Sequence, residues 1–300
     1  MRLAWDNATV PPPPQTGPER PLARRPIPGD LPGLFRLIKW YLDLVTPDGD
    51  AVIAYTAKLR WGALALPWAS AWRSRPGYPL EERTTTRGVL APGGGPVRLG
   101  WRNATLDVAG EWRRLSPPPP SPPIRRTLHE DRHGTIRWSC RMPRARATFR
   151  WGAETLRGLG YAERLELTIP PWRLPFRSLR WGRYISRAHA AVWIAWDGAR
   201  GPGTIPPRSW VWLDGAECPH ARMDETAVSD LGDGQSLRLL ETRELRNRSV
   251  LSAVRAIPGL ARLSGRLGAM HEHKWLSRAR LTRPGRKADE GWAIHEIVRW

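Results

Sequence analysis

The sequence contains little that could crosslink the chain or carry it into a membrane. Its 300 residues include two cysteines, Cys140 and Cys218, which excludes a disulfide-stapled secreted scaffold and predicts a reducing, cytoplasmic setting. The N-terminus shows no apolar signal-peptide core before the prolines at 11–14. The longest uncharged apolar run, Trp61–Trp72, has 12 residues and includes Pro67, whereas a spanning helix needs about 20. We therefore expect a cytoplasmic protein with no transmembrane helix.

Lysine, tyrosine and phenylalanine are scarce, whereas arginine and tryptophan are abundant. Only four of the 48 basic residues are lysines, and 28 acidic residues leave a formal net charge of +20. A balance this basic is typical of proteins that contact nucleic acid or an anionic membrane surface. Eighteen tryptophans against five tyrosines and three phenylalanines predict large, flat apolar surfaces that are buried or hold a ligand.

The arginines follow a strand pattern. From Thr135 to Met142 and from Arg144 to Trp151, apolar residues alternate with polar residues, mostly arginine, which predicts two half-buried strands joined at Pro143. Arginine is then the usual outward residue of antiparallel sheets. We therefore expect no specific nucleic-acid partner and leave peripheral contact with an anionic membrane surface open. Helical periodicity is weak, and its two candidates are Leu34–Ile38 and Leu251–Leu267.

The common motifs of cofactor and metal chemistry are absent from the sequence. It has no phosphate-binding glycine loop, no nucleophile elbow and no paired C-x-x-C, and we predict no cofactor. His271 and His273 share a strand face and could ligate a metal together with His220 or Cys218. No motif fixes the remaining ligands, and we predict no metal.

One short repeat places two glutamates in matching positions. Gly158 and Glu163 recur as Gly291 and Glu296 with the same spacing, and each copy opens a predicted strand, which suggests two similar halves. Alternation puts Glu163 on an apolar face together with Tyr161. An inward carboxyl group has a raised pKa and can donate a proton, but it can equally be a structural partner of a buried arginine or of backbone amides.

Five aromatic-rich segments follow one another along the chain: Trp40–Asp43, Gly158–Glu163, Leu179–Tyr184, Val192–Trp196 and Trp210–Gly215. In this order they resemble the lipocalin-like carotenoid hydratase (hydroxyneurosporene synthase) superfamily. The resemblance covers about residues 35–300. It implies two successive lipocalin-type barrels, a large apolar ligand such as an acyclic carotenoid or another isoprenoid or lipid, and addition of water to a terminal double bond without a redox cofactor.

The match to the hydratase branch of that family is incomplete. Tyr161, Glu163 and Asp197 carry over to family positions. Arg164–Glu166 stands where the hydratases have His-x-Trp, and Ala195 stands where they have the tyrosine of Tyr-x-Asp. The resemblance therefore leaves hydratase activity open.

We predict an all-β protein made of two lipocalin-like antiparallel β-barrels in tandem, at residues 31–172 and 173–300, after a disordered Pro/Arg-rich tail at 1–30. It is expected to bind a hydrophobic isoprenoid, carotenoid or lipid. In the catalytic version it is a cofactor-free hydratase or cyclase, in which an inward acid protonates a double bond and tryptophans stabilise the carbocation. The alternatives are a non-catalytic carrier or tailoring partner and a basic nucleic-acid-binding module.

The candidate residues follow from the alternation and from the resemblance. The candidate catalytic residues are Glu163, Tyr161, Asp197 and Asp43. The candidate ligand-binding residues are Trp40, Trp181, Trp193, Trp196, Trp275, Trp292 and Glu296.

Overall fold

A computed structural model describes residues 34–115, 123–198, 206–225, 227–249 and 270–299. The predicted tail at 1–30, the prolines at 117–120 and the helical candidate at 251–267 lie outside these residues. The described strands are β1 (Phe35–Val45), β2 (Ala51–Trp61), β3 (Leu64–Ser74), β4 (Glu81–Thr85), β5 (Gly93–Gly94), β6 (Arg98–Asn103), β7 (Val108–Arg114), β8 (Ile124–Asp131), β9 (Gly134–Trp151), β10 (Glu154–Leu167), β11 (Phe176–Ile185), β12 (Ala190–Gly198), β13 (Arg208–Leu213), β14 (Ala216–Glu217), β15 (Arg222–Met223), β16 (Val228–Gly232), β17 (Gln235–Ser249), β18 (His271–Thr282) and β19 (Asp289–Arg299). A 3₁₀ turn spans Pro171–Arg173, and no helix in the described ranges is long and apolar enough to cross a bilayer.

The strands form two antiparallel sheets with closely similar connectivity. Ladder neighbours run β4-β3-β2-β1-β10-β9-β7-β6-β5 in the first sheet, with β8 also paired to β9, and β14-β13-β12-β11-β19-β18-β17-β16-β15 in the second. The first and last strands of each half are thus paired near the middle of their sheet. This arrangement confirms the predicted all-β fold of two lipocalin-like units in tandem, one of them a half-barrel. The chain passes between the sheets at residues 168–175, and the division at residue 172 stays a prediction.

The alternating pattern around Pro143 forms one strand, so the prediction of two strands is wrong. β9 runs unbroken from Gly134 to Trp151, and the side chains predicted to face inward are buried along it. The register between β9 and β10 shifts between Gly160 and Glu163, opposite this proline. A β-bulge is a place where a strand accommodates a residue that cannot donate a ladder hydrogen bond. The strand therefore continues through the proline.

One other expectation drawn from pattern is wrong, and a second has exceptions. The segment Leu34–Ile38, predicted as helical, leads into β1, which pairs along its length with β2 and β10. Hydrogen bonding to these two strands outweighs the weak helical periodicity of the segment. Arginine is also not always outward, because Arg73, Arg183 and Arg246 are buried.

Buried side chains form three cores. The first-sheet core includes Leu42 and Phe149, and the second-sheet core includes Trp193. The largest core combines residues of both sheets, such as Tyr41 and Trp181, and is the contact between them. Even-numbered residues of β1 enter the first-sheet core and odd-numbered residues enter the contact. Each sheet is therefore covered on both faces at its centre.

The short sequence repeat marks equivalent points on β10 and β19. A Cβ atom at Gly158 would overlap the carbonyl oxygen of Val45 in β1, and one at Gly291 would overlap that of Ile185 in β11. Only glycine permits so close an approach of two backbones. The two halves therefore repeat the same strand contact.

Far-ultraviolet circular dichroism of the full chain is expected to show a β spectrum with less than about a fifth helix, below the average for globular domains. The physical reason is that both sheets and all three cores are built from strands. A sample unfolded in urea provides the reference spectrum. A strongly helical spectrum would be incompatible with this architecture.

Candidate functional site

The two sheets meet through a largely buried set of aromatic and charged side chains, which we call the intersheet cluster. Its members are Tyr41, Asp43, Tyr55, Trp138, Tyr161, Glu163, Trp181, Arg183, Lys274 and Glu296. They come mainly from β1 and β10 of the first sheet and from β11, β18 and β19 of the second. Successive strand residues point to opposite faces, so every second residue of each strand enters the contact.

Glu163 lies in this cluster and accepts hydrogen bonds from neutral donors. Its Oε2 accepts from the Tyr161 hydroxyl at 2.8 Å, from the Trp181 indole N–H at 3.0 Å and from the Trp138 indole N–H. Within the described ranges no donor contacts Oε1. The proton of the neutral acid therefore belongs on Oε1.

The surroundings of Glu163 place the pKa of its carboxyl group near neutral pH. Burial raises the pKa of Glu163 to about 7, although hydrogen bonds from Trp138 and Tyr161 and the charge of Lys39 favour the ionised form. Burial also raises the pKa of the Tyr161 phenol well above its usual value, so the phenol stays protonated and serves as a donor. A carboxyl group that titrates near the working pH is suited to general acid catalysis.

Aromatic rings crowd the same region. Trp181 meets Tyr41 and Tyr161 edge to face, with ring centroids 4.8 and 5.7 Å apart. Tyr55 meets Tyr41 in the same way at 5.4 Å. The faces of such rings carry partial negative charge and stabilise nearby cations. The cluster therefore combines a proton donor with groups that stabilise positive charge.

Lys274 already presents a cation to these rings. Its Nζ lies 5.7 Å from the Trp181 ring centroid and donates to the Tyr55 hydroxyl at 3.0 Å. It pairs with Glu296 and, at 3.3 Å, with Glu272. Although burial opposes it, the two carboxyl groups raise the pKa of Lys274. Lys274 in turn holds the pKa of Glu272 below its usual value against the effect of burial, so this group of charges includes a carboxylate at neutral pH.

Asp43 and Arg183 form a two-point ion pair between the sheets. Nε of Arg183 donates to Oδ2 of Asp43 at 2.9 Å and Nη2 donates to Oδ1 at 2.8 Å. The side chains are 0% and 1% exposed. Nη1 donates to the Trp292 carbonyl oxygen at 2.7 Å. Both carboxylate oxygens of Asp43 thus accept from the guanidinium, which favours the ionised carboxylate, whereas burial raises the pKa of Asp43.

Strand register relates the cluster to a pseudo-twofold axis. The equivalent positions in the two sheets are Tyr41 and Trp181, Asp43 and Arg183, and Glu163 and Glu296. The first two of these pairs are in direct contact across the sheets. The two glutamates differ in their partners, since Glu163 has neutral donors and Glu296 has the Lys274 ammonium. The halves therefore share a backbone plan and differ in chemistry.

The tryptophans predicted to bind ligand divide between two strand faces. Trp181, Trp196 and Trp292 lie in the contact between the sheets, whereas Trp40 and Trp193 lie in the first-sheet and second-sheet cores. Trp275 directly follows buried Lys274, so it points away from the cluster, and it packs between the rings of His273 and His295. The structure therefore brings three of the six predicted tryptophans, and Glu296, to the same contact.

Asp197 lies apart from the other predicted acids. It accepts hydrogen bonds from Ser178 Oγ at 2.6 Å and from Arg180 Nη2 at 2.7 Å, and its side chain is half exposed. It directly follows Trp196, which enters the contact between the sheets, so Asp197 points to the opposite face of β12. The structure does not bring Asp197 together with Glu163.

The histidines considered as metal ligands have other surroundings. Nε2 of His273 lies 2.6 Å from the Glu244 carboxylate, and His271 is exposed. Across the described part of the chain, no three His, Cys, Asp or Glu side chains are arranged to hold a metal ion.

Sequence reasoning missed the buried cations that the second sheet contributes, Arg183 and Lys274, and the neighbouring Glu272. Glu272 and Lys274 share a face of β18, and both face the first sheet. The sequence did contain a signal for these buried positions, because lysine is rare in a chain whose basic residues are mostly arginine. Two of the four lysines, Lys39 and Lys274, lie over the ring of Tyr55, with Nζ atoms 4.5 and 5.8 Å from its centroid.

Comparison with known proteins supports the fold. No family model and no curated protein matches the sequence. The crystal structure of CghA covers 88% of each chain at 12% identity with a TM-score of 0.51. CghA with Sch210972 covers 88% of each chain at 12% identity with a TM-score of 0.48, and kievitone hydratase from Nectria haematococca covers 88% of each chain at 8% identity with a TM-score of 0.47. The likeness to CghA agrees with the tandem lipocalin-like fold that the sequence resemblance implies.

Proposed function

We propose that the protein binds a hydrophobic isoprenoid or other lipid between its two sheets and protonates an isolated C=C bond from Glu163, which leads to addition of water or to ring closure. One observation carries this proposal: a carboxyl group with a pKa raised to about 7 by burial, placed among indole and phenol donors and aromatic rings. The resemblance to carotenoid hydratases supports the same class of substrate.

Proton transfer begins at Oε1 of Glu163. A new C–H bond forms from the π electrons of the alkene, and the second alkene carbon becomes cationic. The carboxylate that remains is stabilised at Oε2 by the N–H groups of Trp138 and Trp181 and the O–H of Tyr161. Because these donors are already in place, the charge develops without rearrangement of the site.

The carbocation is then captured. The rings of Trp181 and Tyr41 stabilise it by cation–π contact. Water adds to the cationic carbon and gives up a proton to the Glu163 carboxylate, which restores the acid and leaves net addition of water. When a second double bond of the same molecule attacks instead, a ring forms and proton loss to Glu163 closes the cycle.

The half-buried side of the cluster offers a direction of approach. Lys39 and Leu165 are paired across β1 and β10. Each lies two residues along its strand from Tyr41 or Glu163, on the same face, and neither is fully buried. A long apolar substrate would enter along this row, with its hydrocarbon against Leu165 and its reacting bond against Oε1. Pockets of this kind bury most of their ligand against apolar and aromatic walls.

The purified full chain, incubated in D2O with acyclic isoprenoids that carry an isolated terminal double bond, is expected to give products with deuterium on the protonated carbon. Mass spectrometry detects the label. The value of kcat/KM is expected to be constant at acidic pH and to fall about tenfold per pH unit above about 7, because only protonated Glu163 donates.

Heat-unfolded protein serves as the control for uncatalysed exchange. Saturable binding of the same isoprenoids, seen as a change in tryptophan fluorescence, with no deuterium in the recovered ligand at any pH would end the catalytic proposal. That outcome would favour a carrier.

A further inference from the structure

A cavity lies in the first sheet, away from the intersheet cluster. Its volume is about 650 Å³, within the range of about 300–1,000 Å³ typical of small-molecule sites. Two neighbouring cross-strand rows line it: Gly93, Gly100, Glu111 and Thr148 belong to one row, and Arg102, Ala109 and Arg150 belong to the other. Residues directly opposite each other in antiparallel ladders point to the same face. These rows lie on the face turned away from the first-sheet core, because they alternate with Trp101, Trp112 and Phe149.

The floor of the cavity is open at its glycines, and the Glu111 carboxylate beside them pairs with two arginines. A Cβ atom placed on Gly93 or Gly100 would meet no other atom within 4 Å, so the space above these glycines is open. Leu90 and Ala91 border it, and Leu90 is 62% exposed. An apolar chain laid across this floor would pass beside these two side chains.

Among the charged side chains that line the cavity, Arg102 is the one without a charge partner in the described ranges. Arg102 is exposed and makes no ion pair or hydrogen bond within the described ranges. Arg150 donates to Asp107 at 2.7 Å. The next cross-strand row consists of Arg98, Arg113 and Arg146. Glu111 pairs with the first two of these and leaves Arg146 unpaired in that row. Arg102 and Arg146 are thus guanidinium groups without a carboxylate partner in the described ranges, and such groups attract anions.

We propose that this cavity binds a single-chain amphipathic anion, with its carboxylate, sulfate or phosphate head on Arg102 and its hydrocarbon chain over Gly93 and Gly100. Arginine matches such oxyanions because its planar guanidinium donates two parallel hydrogen bonds. The site is separate from the intersheet cluster and does not depend on catalysis by Glu163.

The probe for this site is decyl phosphate below its critical micelle concentration, titrated into the full chain by calorimetry. The wild type is expected to bind one equivalent saturably. Gly100→Leu is expected to weaken binding at least about tenfold, because the new side chain fills open space in the cavity without meeting protein atoms. Arg102→Gln is expected to weaken binding about tenfold through loss of a charge-assisted contact.

Arg60→Gln provides the matched control, since Arg60 is an exposed arginine of β2 outside the cavity, and it should bind as the wild type does. Thermal melts of all variants check that they fold.

The proposal is overturned if wild type shows no saturable binding, or if Gly100→Leu binds decyl phosphate as tightly as wild type. A third result also overturns it: the protein binds vesicles of anionic phospholipid but not decyl phosphate, and Arg60→Gln weakens vesicle binding as much as Arg102→Gln does. Binding would then depend on the general surface charge of the protein and not on this cavity. Retained binding by Glu163→Gln separates this site from the proposed reaction.

Discussion

Replacing Glu163 by glutamine is expected to lower turnover by about 10²–10⁴-fold while the protein still folds and binds its hydrophobic ligand. Glutamine keeps the size of the side chain, and its carbonyl oxygen can still accept from Trp138, Tyr161 and Trp181. It has no proton to transfer from the position of Oε1. Deuterium incorporation from D2O measures turnover, and fluorescence titration measures binding.

The same variant is expected to change how stability depends on pH. The ordinary pKa of a glutamate is 4.5 and that of folded Glu163 is about 7, so between these values the folded state holds a proton that the unfolded state has lost. The free energy of unfolding of the wild type should therefore fall as pH rises through this window, by about 3 kcal/mol in all. The contribution is complete below pH 4.5 and lost above about 7. Glu163→Gln should lack this slope.

Glu166→Gln is the control on the same strand. Glu166 points to the other face of β10, where it pairs with Arg36 and Arg164, so its replacement should leave turnover unchanged. If Glu163→Gln melts at a lower temperature and keeps its turnover per folded molecule, Glu163 is a structural partner of the two tryptophans and the acid must be sought elsewhere.

Removing one partner of the Asp43–Arg183 pair is expected to cost about 3–5 kcal/mol of stability. In Asp43→Asn the Arg183 guanidinium remains buried, with 1% exposure, and loses the charge that neutralises it. Urea unfolding followed by tryptophan fluorescence gives the free energy of unfolding. The double variant Asp43→Leu with Arg183→Met removes both charges and is expected to recover most of the loss, because no buried charge is then left unpaired.

An exposed ion pair provides the comparison. Arg280 and Glu290 are each about half exposed, and Arg280→Gln should cost only about 0.2–1 kcal/mol. A loss in Asp43→Asn no larger than in Arg280→Gln would mean that water reaches the intersheet pair and that the pair does not hold the sheets together.

The sequence pattern was sufficient for the all-β class and for the inward direction of Glu163, although not for the bounds of every strand. Alternation in β9 is strong because each part of the strand covers an apolar core. Its phase changes at Pro143: buried side chains are even-numbered from Ile136 to Met142 and odd-numbered from Ala145 to Trp151. Gly158 and Gly291 were also informative, because the backbone contact at each of them admits no side chain.

The partners of Glu163 could not be predicted in the same way. Trp181 reaches it from the other sheet, and nothing in strand alternation states which faces of two sheets will meet. The pattern also treats a charged residue as outward, whereas Arg183 and Lys274 are buried by pairing with carboxylates that lie far away in the sequence. Burial of a charge depends on such a partner, and the partner is visible only after folding.

The pseudo-twofold relation between Asp43 and Arg183 bears on how chains find their partners. Two first sheets from different chains, packed by the same faces, would bring two Asp43 carboxylates together, and two second sheets would bring two Arg183 guanidiniums together. Either combination buries like charges with no counter-ion, which is strongly unfavourable. Only a first sheet with a second sheet is complementary at this point. A symmetric dimer of two identical halves could not contain the Asp43–Arg183 pair. The difference between the two halves at this position therefore favours packing of the first sheet on the second.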